Sequence, residues 1–485
     1  MKRIDIFERT RGGFARERSR PGTVFRVDMV QSLAEKLGGE IVREGPSAVI
    51  KIRHNIERSY THGNIPLEGI YTVSGTPLEV LFPKADFQDS GGPNEHGFAR
   101  NFLFFDIETT GLSGGAGTHF FLIGMLEIEE EKLVLTQYFL ASLSSEPLFL
   151  KHVGSHFKRG AVLVSYNGKS FDLNVIKNRF ILNGMRFSGS EYAHNEYTPQ
   201  DSMQKEHSHL EFIPKEYTQR GHVPKGKNVH VECAQHEHTH NEYTPAEYTH
   251  LDLLHPSRRL WRGMFSDFSL GTVERMACGV KRINDIPGYR IPEVYSGYLR
   301  GGIDLDELST IFIHNRNDVL SLPALLLKQI QTVQSGMSAG SDAVSCNHLC
   351  LSDMLIRCDY KNEAKRVLGF HDEDIEALKR LGIYSKREGS FDEALGYFMS
   401  LAERTDELGT YLFSCTEIAK IYEHKLRDFH TALSYVQKAD ERVRRSLYLY
   451  PERELLFSRE LKAIEKRKKR LVIKIQKNGT RGVSR

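Results

Sequence analysis

The segment FLFFDIETTGL (102–112) constrains this chain more than any other stretch. Four consecutive apolar residues read as a buried strand, and the run ends on two carboxylates one residue apart, Asp106 and Glu108. Strand side chains alternate between faces, so residues i and i+2 leave the sheet on the same side. Two acids side by side at a buried strand end repel each other and lose hydration. A hard divalent cation answers both costs, and Mg²⁺ is commonly held by one or two carboxylates together with substrate phosphates. The competing reading is a strand that drifts into a polar loop, and the acids downstream argue against it.

Residues 161–180, AVLVSYNGKSFDLNVIKNRF, give a β-branched strand, an Asn-Gly break and an amphipathic helix. Asp172 falls in the first turn of that helix, where the dipole favours an anion. IFIHNRNDVL (311–320) reads as helix and puts His314 and Asp318 on one face at i and i+4. Acids in the order Asp, Glu, Asp, Asp on strand, strand, helix and helix resemble the DEDD superfamily of 3′–5′ exonucleases, which has a ribonuclease H-like fold. The stretches HLDLLHPSRRLW (250–261), SLGTVERMACGVKR (269–282), DIPGYRIPEVY (285–295) and HNRNDVLSL (314–322) narrow the resemblance to the bacterial YprB-like branch. That branch tends to carry tetratricopeptide-type helices behind the nuclease domain.

The resemblance implies an α/β fold, a ribonuclease H-like mixed sheet flanked by helices, followed by an all-α tetratricopeptide-like helical domain. It also implies two Mg²⁺ or Mn²⁺ ions held by Asp106, Glu108, Asp172 and Asp318, and a 3′–5′ exonuclease acting on single-stranded DNA or RNA. The chain departs from the family at one place. The fifth catalytic residue there is a Tyr four residues before the last Asp or a His five before it, whereas His314 is a His at the Tyr spacing. An imidazole titrating near ~6.5 suits a general base for the attacking water; the alternative is a residue that orients Asp318. Thr109 and Leu112 are expected to meet the terminal nucleotide. Tyr166, Asn167 and Lys169 belong at a strand end beside Asp172, where α/β sheets commonly meet ligands. Asp252 resembles a family acid and is expected behind the ligands, not among them. Arg258, Arg259 and Arg262 either contact phosphates or form a solvated face.

With 485 residues, 40% of them hydrophobic, the chain can bury two or three cores. A net charge of +3 means that any basic surface must be local. The opening residues lack an apolar signal core, and no window approaches a membrane span, so a cytoplasmic protein with reduced cysteines is expected. Cys346, His348, Cys350 and Cys358 lack the second paired half of a zinc site and read as core residues. Gly168-Lys169-Ser170 lacks the earlier glycine of a P-loop.

The expected divisions are an appended, partly disordered region (1–99), the nuclease domain (100–332) and, within it, a His-, Tyr- and Glu-rich insertion (188–249) that repeats HNEYTP. After a Ser/Gly-rich linker, helical repeats are expected over 346–460, with Tyr384, Phe391 and Ala394 recurring 38 residues later as Tyr422, Phe429 and Ala432. These repeats are candidates for binding a protein partner. A basic tail (461–485) either touches phosphates or is solvated. Two alternatives stand beside the exonuclease: a structure-directed endonuclease, and a non-hydrolytic scaffold that binds nucleic acid and recruits a partner through the repeats.

Overall fold

The computed structural model describes residues 27–73, 75–87, 97–111, 117–187, 248–283, 285–338 and 345–481. Its strands are β1 (Glu40–Glu44), β2 (Ser47–Glu57), β3 (Thr61–His62), β4 (Ile65–Pro66), β5 (Phe102–Thr109), β6 (Phe120–Ile128), β7 (Lys132–Phe139), β8 (Val162–Ser165) and β9 (Thr249–Asp252). Seven of them form one mixed sheet in the order β1-β2-β7-β6-β5-β8-β9, while β3 and β4 pair as a small hairpin. β5 sits where the sheet changes character, antiparallel to β6 on one side and parallel to β8 on the other. Parallel neighbours need a crossover. The helix Glu146–Gly154 lies between β7 and β8, and the helix Asp172–Leu182 between β8 and β9. The central strands are covered on both faces, which is why FLFF, FFLI and VLV are continuous apolar runs and do not alternate.

Each face of the sheet carries its own apolar layer. Phe102 and Phe104 join Val162, Val164 and the second half of the helix Leu305–Met337 on one side. Leu103, Phe105 and Ile107 join Phe149, Phe180 and Ile311 on the other. By alternation Asp106 and Glu108 project from the Phe102–Phe104 face, beneath the long helix.

Residues 40–57, expected to belong to an appended unit, instead extend this sheet. β2 pairs along the whole of β7, with Ile52 opposite Gln137, and the helix Val27–Leu37 adds Val30, Leu33 and Ala34 to the second layer. A bare β7 would present an unpaired edge, and β1–β2 cover it. Residues 1–20, the part of the appended region expected to be disordered, lie outside the described residues. So does nearly all of the insertion, whose flanks are close: the rings of Phe187 and Tyr248 are 6.1 Å apart.

The 33-residue helix Leu305–Met337 is capped by Asp304, whose side chain accepts from the Asp306 amide, and carries Pro323 within it. The Ser/Gly stretch expected as a linker begins as the last turn of this helix. Gly336 there lies against the next helix, where a β-carbon would fall 2.5 Å from Leu351. Leu351, Met354 and Leu355 of His348–Arg357, with Ala364 and Val367 of Lys361–Gly369, belong to the same apolar cluster as Phe104 and Val164. The sheet and the helical region therefore share a core.

Beyond it the helices pack in pairs, Ile375–Glu388 with Phe391–Arg404 and Leu408–Ile421 with Phe429–Leu449. The 38-residue offset read from the sequence recurs in three dimensions. Ala394 and Ala432 are both fully buried, and Gly389 and Arg427, also 38 apart, are both left-handed residues that end a helix. The described part of the basic stretch expected as a tail, residues 461–481, lies within the helix Glu454–Arg481, which packs on Phe429–Leu449 and buries Ile464 and Leu471. Arg467, Arg470 and Lys474 close on the buried Glu423, so these cations serve internal pairs. No described helix is long and apolar enough to cross a membrane.

A shared core predicts shared unfolding. Leu326→Ala, at a fully buried position on the long helix, is expected to cost about 2–5 kcal/mol. Urea melts followed by a probe in the sheet and one in the helical repeats should shift together. Two separate midpoints, only one of them displaced, would contradict the shared core.

Candidate metal centre

The site begins at a row of three residues across the sheet. Asp106 of β5 stands opposite Gly124 of β6, and Gly124 opposite Gln137 of β7. Gly124 admits the long helix: a β-carbon there would lie 2.4 Å from Asn315 Oδ1 and 2.7 Å from Val319. Asn315, fully buried, spans the gap. Its Nδ2 donates to both the carbonyl and the carboxylate Oδ2 of Asp106 at 3.1 Å, while Gln137 Nε2 donates to Asn315 Oδ1 at 2.9 Å. Gln137 also donates to the Phe312 carbonyl at 2.9 Å, fixing the amide from both sides.

His314 and Asp318 flank Asn315 on the helix. His314 Nε2 is 3.2 Å from Asp318 Oδ2 and 3.9 Å from Glu108 Oε1, and its Nδ1 is 2.8 Å from Asp285 Oδ1. Glu108, His314 and Asp318 can each offer a ligand atom within 4.8 Å of the others, the one such group among the described residues. Asp172 opens its helix, and its Oδ2 lies 2.8 Å from where a Gly168 β-carbon would be. Asp252 accepts from the amides of Asn167 (2.8 Å), Lys169 (3.2 Å) and Leu254 (3.1 Å), so it holds the loop that leads to Asp172. That loop turns on Asn167, at φ +61°. Tyr166 packs its ring on the core and donates its hydroxyl to the Phe268 carbonyl at 2.7 Å. Thr109 follows a register shift at the end of β5 and donates to the Gly111 carbonyl. Leu112 lies outside the described residues.

The electrostatics show how closely the acids crowd one another. Asp106 is held well above the carboxylate range by burial and then by Asp318, Glu108 and Asp172. Burial, reinforced by Asp318 and Asp172 and opposed by His314, lifts Glu108 to about 8. Burial followed by Asp252 and Asp318 lifts Asp172 to about 7. Each acid thus disfavours ionisation of its neighbours, and oxygen donors crowded in this way are the set that Mg²⁺ or Mn²⁺ accepts. Asp318 alone moves down: burial resists, but His314 and Arg282 prevail. Burial also opposes a charge on His314, yet Asp318, Glu108 and Asp285 outweigh it and raise the ring to about 9. Without a divalent ion, this imidazole is a cation at neutral pH and serves as counter-ion to the acids.

Five supporting residues were not assigned roles from the sequence: Gln137, Asn315, Glu274, Arg282 and Asp285. The last three lie within or beside the motifs 269–282 and 285–295, but nothing in their spacing announces that they converge on Asp318.

Residues 103–205 and 190–329 match the RNase_H_2 family model of the RNase H superfamily. This chain carries a ribonuclease H-like domain. The match runs from β5 into the long helix and spans all four acids. The chain is also similar to the uncharacterized protein YprB of Bacillus subtilis (strain 168), at 27% identity over 348 residues, covering 70% of this chain and 69% of that protein.

The raised acids give the ribonuclease H-like domain a signed pH dependence. Glu108 and Asp172 keep protons in the folded state that they would lose on unfolding, so their contribution falls as pH rises towards about 8 and 7. The His314 contribution is complete below 6.5 and is lost as pH rises through about 9. All three act in the same direction. The buried His62 and the partly buried His250, both held near 4, oppose this trend only below 6.5. In EDTA the melting temperature should therefore fall between about pH 6.5 and about pH 9, and Asp106→Asn should flatten the slope. A wild-type melting temperature that rises over this range would refute the charge assignment.

Proposed function

We propose that this protein is a metal-dependent nuclease that hydrolyses phosphodiester bonds, acting as a 3′–5′ exonuclease on single-stranded nucleic acid. The observation that carries this reading is the gathering of four carboxylates, the buried Asp172 and the partly buried Asp106, Glu108 and Asp318, within a ribonuclease H-like domain. Two Mg²⁺ or Mn²⁺ ions held by these acids would supply the Lewis acidity that a phosphodiester needs for attack by water and departure of its leaving oxygen. Asp106 feels all three of the other acids and is the ligand suited to be shared. Asn315 fixes the Asp106 carboxylate by its Oδ2.

His314 is the group we assign to proton transfer. Asp285 at Nδ1 orients the ring so that Nε2 faces Glu108 and Asp318. The ring must release the proton its ion pairs hold before it can accept one from water. Lys169, one residue after the glycine that abuts Asp172, is the cation we assign to a substrate phosphate, with Thr109 and Asn167 beside the acids. Tyr166 supports this rim through packing. A protein that only bound nucleic acid would gain nothing from four acids facing a polyanion. The paired helices beyond residue 346 are the surface we assign to a protein partner.

End-labelled single-stranded DNA and RNA, incubated with Mg²⁺, Mn²⁺ or EDTA, test the reading. Stepwise release of mononucleotides from the 3′ end, abolished by EDTA and by Asp106→Asn, is expected; internal cuts would favour the endonuclease. Asp106→Asn that is folded by circular dichroism yet digests at the wild-type rate would refute the site. His314→Ala should slow turnover by about 10²–10⁴-fold if the imidazole transfers the proton. Recovery of the full rate on adding Mn²⁺ would reduce His314 to a residue that orients the ligands.

A further inference from the structure

Arg282 is the one guanidinium that reaches the acid cluster among the described residues, and every polar direction of its fork is engaged. Its Nε and Nη2 meet the two oxygens of Glu274 at 2.5 and 2.9 Å, Nη1 meets Asp285 Oδ2 at 2.9 Å, and Nη2 also meets Asp318 Oδ1. The remaining oxygens of Asp285 and Asp318 face the two nitrogens of His314. Arg282, Asp285, His314 and Asp318 thus close a ring of contacts.

The ring has a deep anchor. Glu274, 1% exposed, also accepts from the buried Ser321 of the long helix, and Ser321 Oγ is 2.9 Å from His62 Nε2 on β3. Glu274 opens a single π-helical turn, Glu274–Cys278, a geometry that is frequent at functional sites. The β3–β4 hairpin clamps that turn. The Asn64 amide donates to the Cys278 carbonyl at 2.7 Å, and Gly63, at φ +60°, approaches so closely that a β-carbon would lie 2.3 Å from the same oxygen.

We propose that Arg282 is a positioning residue for the centre: it occupies Oδ1 of Asp318, so that Oδ2, which faces His314 Nε2, is the one oxygen of that carboxylate that a divalent ion would take from the imidazole, and it holds Asp285 against His314. The proposal rests on the metal-dependent reading above. Two bland roles compete with it, and they predict different signs. If Arg282 merely adds positive charge near the acids, removing it should tighten cation binding. If it merely stabilises the fold, removing it should lower the melting temperature and leave cation affinity alone. A positioning role predicts weaker binding even though the site has become more negative. Lysine should not substitute, because an ammonium keeps the charge but lacks the planar fork that reaches three carboxylates.

The experiment titrates Mn²⁺ calorimetrically into the EDTA-stripped full-length protein, with melts and single-strand digestion alongside. Arg282→Lys and Arg282→Gln should each bind Mn²⁺ about 10–100-fold more weakly, and excess Mn²⁺ should recover part of the lost rate. Arg282→Gln leaves Glu274 buried without its partner, so Arg282→Gln/Glu274→Gln, which removes both charges, guards against misfolding and should show the same weakening. Wild-type affinity in Arg282→Lys, tighter binding in Arg282→Gln, or unchanged affinity with a lowered melting temperature in the double variant would each overturn the proposal while leaving the nuclease reading standing. A wild type that takes up no Mn²⁺ and releases no nucleotide would overturn both.

Discussion

Mutual repulsion among crowded, largely desolvated carboxylates is the constraint around which the rest of this structure is organised. Asp106, Glu108, Asp172 and Asp318 raise the cost of one another's ionisation, and three of the four hold their protons far above the usual range. Such a cluster is unstable by itself and persists only where the surroundings over-determine it. The surroundings here are specific. Gly124 admits the helix, Asn315 and Gln137 brace Asp106, Asp252 ties down the loop to Asp172, and His314 with Arg282 neutralises Asp318. Remove the acids and much of this polar framework loses its purpose.

The sheet's core and the acids themselves were legible in the sequence because each depends on local pattern. Phe102–Phe105 is a buried strand by its apolar run, Asp106 and Glu108 share a face by alternation, and His314 and Asp318 share one by helical spacing. Asp252 was expected to stand behind the ligands, and in the structure it accepts from three backbone amides, those of Asn167, Lys169 and Leu254. What escaped was whatever depends on long-range closure. Arg282 and Glu274 lie some distance along the chain from Asp318, and Asn315 acts on Asp106 from 209 residues away. Nothing in the periodicity around Asn315 distinguishes it from any buried helix residue. The same reason explains the N-terminal strands: β1 and β2 look like an independent hairpin until the open edge of β7 is known.

The helical region shows charge handled in the opposite way. Glu423 is fully buried, yet its carboxyl is drawn down to about 2, because burial is outweighed by Arg470, Lys474 and His424. A basic run that resembled a polyanion-binding tail is thus partly consumed in fastening the last helix to its neighbours. One buried acid supplied with several cations stabilises packing as an anion, whereas of four acids sharing few cations three keep their protons instead. Composition alone does not separate these cases; the difference lies in which partners the fold delivers.

The long helix from Leu305 to Met337 carries Asp318 at one stage of its length and docks on Leu351 and Val367 through Gly336 at another. Eighteen residues separate those two points, about 27 Å at the helical rise. Because both ends are embedded in one core, that span is a fixed measure and not a tether. Anything gripped by the helical pairs would be held at a set offset from the acids, so the helix would act as a molecular ruler. Inserting or deleting one turn of the helix would change that offset by about 5.4 Å.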